Sequence, residues 1–329
     1  MNHRRLGSTG RDVSEVGLGT WNIGGDWGDV ADETGRDVVR AALDAGVDFV
    51  DTADVYGDGR SERHIGRVLD ERDAHDDVFV ATKAGRRLEP HEADGYDYDH
   101  LSAFVDRSRE NLGEETLDLL QLHCPPTAAY YQPSTFDALE RLADEGKIAH
   151  AGVSVEKVEE ALKAIEYDVV ETVQLIFNPF RQRPAELFFE RARAEDIGVI
   201  VRVPYASGLL TGALERDQTF PEDDHRNYNR EGEAFDVGET FAGVPYETGH
   251  DAVDALEAHV PDDLSLAELT LRWILDHEAV STVIPGTTSP DHVRSNAAVS
   301  ELPPLSNRVH GAVRDVYEEY VFEHVHHRW

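Results

Sequence analysis

Eight times along this chain a short apolar run rich in β-branched residues gives way to an amphipathic stretch of helical length. VGLG leads to 34–45, VDFVDT to 61–72, VFVATK to 99–112 and LDLLQLH to 134–145. IAHAGVS leads to 155–166, ETVQLIF to 184–195, and GVIVRV to a polar interruption followed by helices at 248–259 and 265–277. AVSTVIP then precedes a helix that starts near Pro290. Runs this apolar suit strands covered on both faces, the condition of a parallel sheet with helices as crossovers.

Right-handed strand–helix–strand crossovers repeated eight times are what a (β/α)8 TIM barrel needs to close. The turn-rich Gly7, Ser8, Thr9 and Gly10 predict a short N-terminal β-hairpin over residues 3–14, capping one end of the barrel. No break in composition divides the 329 residues, so 1–329 is expected to be a single α/β domain. An open doubly wound sheet is the competing architecture. Its dinucleotide loop G-x-G-x-x-G is missing at the first strand–helix junction, which reads GLGTWNIGG.

The formal charge is −35, from 66 acidic against 31 basic residues. Nucleic acid and anionic membranes are held by clustered Lys and Arg that replace counterions, so both partner classes are disfavoured. Self-repulsion of this size destabilises a compact state in dilute buffer, and a salt-loving source with salt-dependent folding is the expectation. The single cysteine, Cys124, excludes an intrachain disulfide and a cysteine-rich metal site. MNHRRLGSTG lacks an apolar continuation, and the expected location is cytoplasmic. His324, His326 and His327 near the end are read as histidines of a mobile terminus without a catalytic role, and no metal is expected.

Active groups of such barrels gather at the C-terminal ends of strands. Asp51 ends VDFVDT, Tyr56 follows in DTADVYGDG, Lys83 ends VFVATK and His123 ends LDLLQLH. Singly, each has an ordinary structural role open to it. Together they occupy three successive strand ends, and Lys83 is one of only four lysines in a chain that otherwise uses arginine. A lysine ammonium beside a phenol stabilises the phenolate and lowers the phenol's pKa. Tyr56 is then a proton donor, Asp51 holds Lys83 charged, and His123 orients a substrate oxygen.

RRLGSTGRDVSEVGLGTW, DTADVYGDGRSERHIGRVL, ATKAG, LLQLHCPP, EGKIAHAGVSV and QLIFNPF occur in an order and spacing that resemble the aldo-keto reductase family, over about residues 3–297. The resemblance implies reversible hydride transfer between a nicotinamide and a carbonyl, with Tyr56 as general acid or base. It implies NADP(H) as the favoured cofactor, with NAD(H) possible, and an aldehyde, ketone or sugar as the small-molecule substrate. By the same resemblance Gly19, Thr20, Trp21, Ser154 and Gln174 contact the cofactor, the last two at the nicotinamide carboxamide. Pro204, Ala206, Gly208 and Leu210 in PYASGLLTG, and Gly286, Thr287, Thr288, His292 and Asn296 in IPGTTSPDHVRSN, are assigned to its phosphates and adenosine. Trp21 and Trp27 join Tyr56 and His123 as the substrate wall.

Three positions depart from the family pattern. Val155 stands where asparagine is frequent, Arg202 replaces a stacking aromatic, and Gly286 replaces a lysine that pairs a 2′-phosphate. The planar Arg202 guanidinium can itself lie against a ring or pair a phosphate. Residues 213–245 form a long acidic segment, either a lid or disordered. Two rival functions remain open: a Schiff-base lyase using Lys83, which needs a depressed lysine pKa, and a nicotinamide-binding regulatory subunit.

Overall fold

The computed structural model of the protein describes every residue except 26 and 29. The chain begins with strands β1 (His3–Arg5) and β2 (Asp12–Ser14), antiparallel with His3 opposite Ser14. Eight parallel strands follow: β3 (Leu18–Gly19), β4 (Phe49–Asp51), β5 (Phe79–Ala84), β6 (Leu117–His123), β7 (Ile148–Ser154), β8 (Thr172–Ile176), β9 (Gly198–Arg202) and β10 (Val280–Val283). They pair in chain order, and parallel bridges from Val16 to Val283 and from Gly19 to Gly286 join the first strand to the last. The sheet is therefore a closed (β/α)8 barrel with an N-terminal hairpin, as the alternation predicts.

Two cores follow from this closure. Leu6, Val13, Phe49, Phe79, Ala81, Leu119, Ile200 and Ile284 pack together inside the barrel. Leu6 and Val13 come from the hairpin segment, so that segment plugs the N-terminal end. The fit is close: a Cβ on Gly7 would lie 2.2 Å from the Gly198 amide nitrogen, and Gly7 has φ +51°. The larger core lies between strands and helices, where the amphipathic stretches turn their apolar stripes inward.

The first strand–helix unit after the hairpin also carries a short helix, Trp21–Gly24, before Asp32–Asp44. Beyond Pro290–Ala298 the chain continues through Asn307–Val316 to Val325 as helix, an addition to the elements that the strand–helix alternation predicts. Residues 213–245 fold into short helical turns, His225–Tyr228, Val237–Glu239 and Phe241–Gly243, seated over the C-terminal end of the barrel. Among the described residues no helix is long and apolar enough to cross a membrane.

Candidate active site

β4 and β5 are neighbours in register, Asp51 opposite Ala81, which brings the ends of both strands to one rim of the barrel. Lys83 Nζ donates to Asp51 Oδ2 at 2.6 Å, to the Thr52 carbonyl at 2.7 Å and to Tyr56 Oη at 3.4 Å. The lysine is 1% exposed and Asp51 3% exposed, so the ion pair sits in a region that screens it weakly. His123, at the end of β6, sets its ring 5.9 Å from that of Tyr56 and nearly perpendicular to it.

Burial is the largest single influence on the protonation of Tyr56, Lys83 and His123, though at Lys83 it is outweighed. At Tyr56 burial raises the pKa above the usual phenol value, and the Lys83 charge offsets this only in part. Lys83 lowers the phenol's pKa as expected, but the net shift is upward, because desolvation of the phenolate outweighs one ammonium that Asp51 already pairs. Burial alone depresses Lys83, but Asp51 and Tyr56 outweigh it and the pKa is raised. His123 is held well below the ordinary imidazole value by burial and by Arg86, Lys83 and Arg202. A protonated phenol, a charged lysine and a neutral imidazole are the states at neutral pH.

The backbone around the rim is strained where side chains must be aimed. Cys124, directly after His123, has φ +46°. After β9, Val203, Ala206 and Ser207 have φ of +53°, +48° and +54°, and left-handed backbone in a β-branched residue such as valine is costly. These turns border a cavity of about 420 Å³ over the barrel end.

Gly19, Thr20, Trp21, Gln174, Arg202, Pro204, Gly208, Gly286, Thr287, His292 and Asn296 of the expected cofactor set line this cavity, with Asp51, Tyr56, His123 and Trp27. Ala206 and Leu210 are fully buried beneath it, and Thr288 is exposed outside it. Ser154 does not reach the cavity lining; its Oγ lies 3.5 Å from Cys124 Sγ. Gln174 donates from Nε2 to Asp51 Oδ1 at 2.6 Å and to Gln121 Oε1 at 3.2 Å, so its amide is anchored to Asp51. Gly286 has a steric reason: a Cβ there would meet Asn22 Oδ1 at 2.0 Å.

Arg202 lines the cavity but is already ion-paired. Its guanidinium pairs Glu156 at 3.0 Å and Glu239 at 3.6 Å and donates to the Val155 carbonyl at 3.2 Å. Arg86 pairs the same two acids, Glu156 at 3.0 Å and Glu239 more closely. At Glu239 burial is outweighed by the two guanidiniums, which hold its carboxyl well below the usual range, while burial and Glu239 push Glu156 up to about 8. Glu239 belongs to the 213–245 segment, which therefore closes onto the barrel through a partly buried four-residue charge cluster.

Sequence reasoning missed Asn22, Tyr205, Ser207, Arg226 and Glu239 as cavity residues. Tyr205 was legible in principle, since it lies inside the flagged PYASG loop; its Oη donates to Asn296 Oδ1 at 2.7 Å. Arg226 and Glu239 carried no signal within a segment dominated by acids.

A closed parallel barrel with a buried Asp–Lys pair against a phenol, at the C-terminal rim beside a cavity, defines a barrel enzyme. Comparison with known proteins is specific about which. The chain belongs to the aldo/keto reductase family, whose model matches residues 15–318, and it is an oxidoreductase of that family. Its curated relatives include aldo-keto reductase YhdN of Bacillus subtilis, 29% identical over 92% of this chain and 88% of that protein. Another is aldo-keto reductase yakc [NADP(+)] of Schizosaccharomyces pombe, 26% identical over 89% of this chain and 85% of that one. Among solved structures, glycerol dehydrogenase AKR11B4 of Gluconobacter oxydans superposes with a TM-score of 0.78 at 28% identity, covering 97% of this chain and 96% of that chain.

Proposed function

We propose that the protein reduces a small carbonyl compound with NADP(H), Tyr56 giving the proton to the carbonyl oxygen. The observation that carries this reading is the Lys83 ammonium placed between Asp51 at 2.6 Å and Tyr56 Oη at 3.4 Å. The ammonium stabilises the phenolate left when the proton departs, and Asp51 keeps the ammonium charged and in place. Neutral His123, beside Tyr56, donates from a ring nitrogen to the same carbonyl oxygen and fixes its direction.

The residues fit a nicotinamide dinucleotide. Small residues at Gly19, Gly208 and Gly286 leave backbone accessible along the cavity, and His123 Nδ1 and Arg202 Nε are buried there without a hydrogen-bond partner. When bound, the dinucleotide supplies the hydride. Tyr205 and Asn296 would hold the adenosine, Ser207 and Gly208 the phosphates, and Thr287 and His292 would stand in for the missing lysine at a 2′-phosphate. NADP(H) is preferred over NAD(H) on the strength of the yeast relative's name.

The Schiff-base alternative needs a lysine with a lowered pKa, whereas Lys83 is raised and donates to three oxygens. The regulatory alternative is disfavoured by a complete quartet. The test is loss of NADPH absorbance on adding a short aldehyde, with wild type and Tyr56→Phe. The variant is expected to lose about 10²–10⁴-fold in kcat with cofactor affinity nearly unchanged. Full activity in Tyr56→Phe would remove the mechanism.

A further inference from the structure

A second cavity, of about 520 Å³, meets the first at Trp21, Tyr56 and Glu239 and opens on the other side of the phenol. The first cavity accommodates the dinucleotide in the reading above, so the second is where the remainder of a carbonyl substrate extends; this inference rests on that reading. Its walls combine two kinds of chemistry. Trp21 and Phe235 present aromatic rings, 5.9 Å apart between centroids and steeply inclined to each other. Arg86, Glu156 and Glu239 present the charge cluster, with Glu239 brought in by the 213–245 segment.

The cluster is rich in hydrogen-bonding capacity that its members do not exhaust. Arg86 uses Nη1 and Nη2 on the two acids, and among the described residues its Nε–H has no partner. Each carboxylate has further lone pairs. An aliphatic chain placed here would desolvate these groups and return nothing. A substrate hydroxyl both donates to a carboxylate and accepts from the guanidinium, while its carbon skeleton rests on the aromatic rings.

Charge narrows the choice further. Glu89, Glu160 and Asp236 also line the cavity, against Lys157 alone beyond the cluster. The walls stay net acidic even with a proton on Glu156, so an anionic carbonyl compound meets repulsion.

We propose that Glu239 and Arg86 are specificity-determining residues that select short, uncharged, hydroxylated carbonyl compounds, with the lid segment supplying the acceptor. The lid thus carries part of the substrate site as well as covering it. Glu239 engages Arg86 and Arg202 together, which seats the segment on the barrel.

The experiment measures kcat/KM with NADPH for three aldehydes of similar size: glyceraldehyde, propanal and glyoxylate. Wild type is expected to prefer glyceraldehyde over propanal by at least about tenfold, the order of one good hydrogen bond, and to use glyoxylate worst. In Glu239→Gln the glyceraldehyde-to-propanal ratio should fall several-fold and relative use of glyoxylate should rise. Because a loosened lid slows both neutral aldehydes, their ratio separates recognition from general damage. Glu239→Asp, which keeps the charge, should retain most of the preference. Wild type using propanal as well as glyceraldehyde, or ratios indifferent to Glu239→Gln, would overturn the proposal. Failure of wild type to reduce any carbonyl would overturn the reading of the function itself.

Discussion

Lys83→Met is the perturbation that most directly interrogates the site. It removes the ammonium but leaves Asp51, 3% exposed, as a buried charge without its counterion. Breaking a buried pair from one side costs about 3–5 kcal/mol. The low end applies here, because Gln174 and Gln121 still donate to Asp51 Oδ1 at 2.6 and 3.3 Å. About 3 kcal/mol corresponds to a fall in Tm of about 4 °C for a chain of this length. Asp51→Asn combined with Lys83→Met removes both charges while Oδ1 keeps its two amide donors, so the double variant should regain most of the loss, to within about 1 kcal/mol of wild type. Calorimetry on the four proteins of the cycle measures the coupling. Activity separates from stability: both Lys83 variants should lose about 10²-fold or more in kcat, since the Tyr56 phenolate has no cation beside it. A single variant as stable as wild type, or a double variant no better than the single one, would refute the electrostatic argument.

Other outcomes follow from particular contacts. A Cβ at Gly24 would stand 2.6 Å from that of Tyr56, so Gly24→Ala must shift the proton donor; kcat should fall about 10²-fold with cofactor Kd little changed, measured by fluorescence titration. Asp54 is wholly buried, neither carboxylate oxygen has a partner, and burial pushes its pKa from 3.8 up to about 8. The folded state therefore holds a proton that the unfolded chain releases over this window, and the group's contribution to stability is lost as pH rises from about 4 to about 8. Asp54→Asn should be more stable than wild type at pH 8 by about 2–5 kcal/mol and close to it at pH 4, read from urea midpoints; parallel pH profiles would count against the assignment. With a net charge of −35, the thermal midpoint should rise steeply between dilute buffer and molar KCl, and a midpoint indifferent to salt would remove the salt-dependence argument.

The sequence by itself determined the barrel and which polar residues close its strands, for related reasons. Strands buried on both faces must be apolar along their length, so a polar residue closing such a run marks the barrel's rim. Asp51, Lys83 and His123 were legible in that way, and the Gly7–Gly10 turn similarly marked the hairpin whose segment brings Leu6 and Val13 under the barrel. Tertiary structure decided which rim residues meet. The ring closure carries Gln174, which lines the cavity, against Asp51, 123 residues away in the chain. Ser154 turned toward Cys124, and Arg202 was claimed by Glu156 and by Glu239, whose burial the acidity of its segment concealed. Burial, which no local pattern reports, also reversed the expected direction of the Tyr56 shift. Periodicity fixes the face a side chain takes; its partners and its proton depend on what the closed barrel and the lid enclose around it.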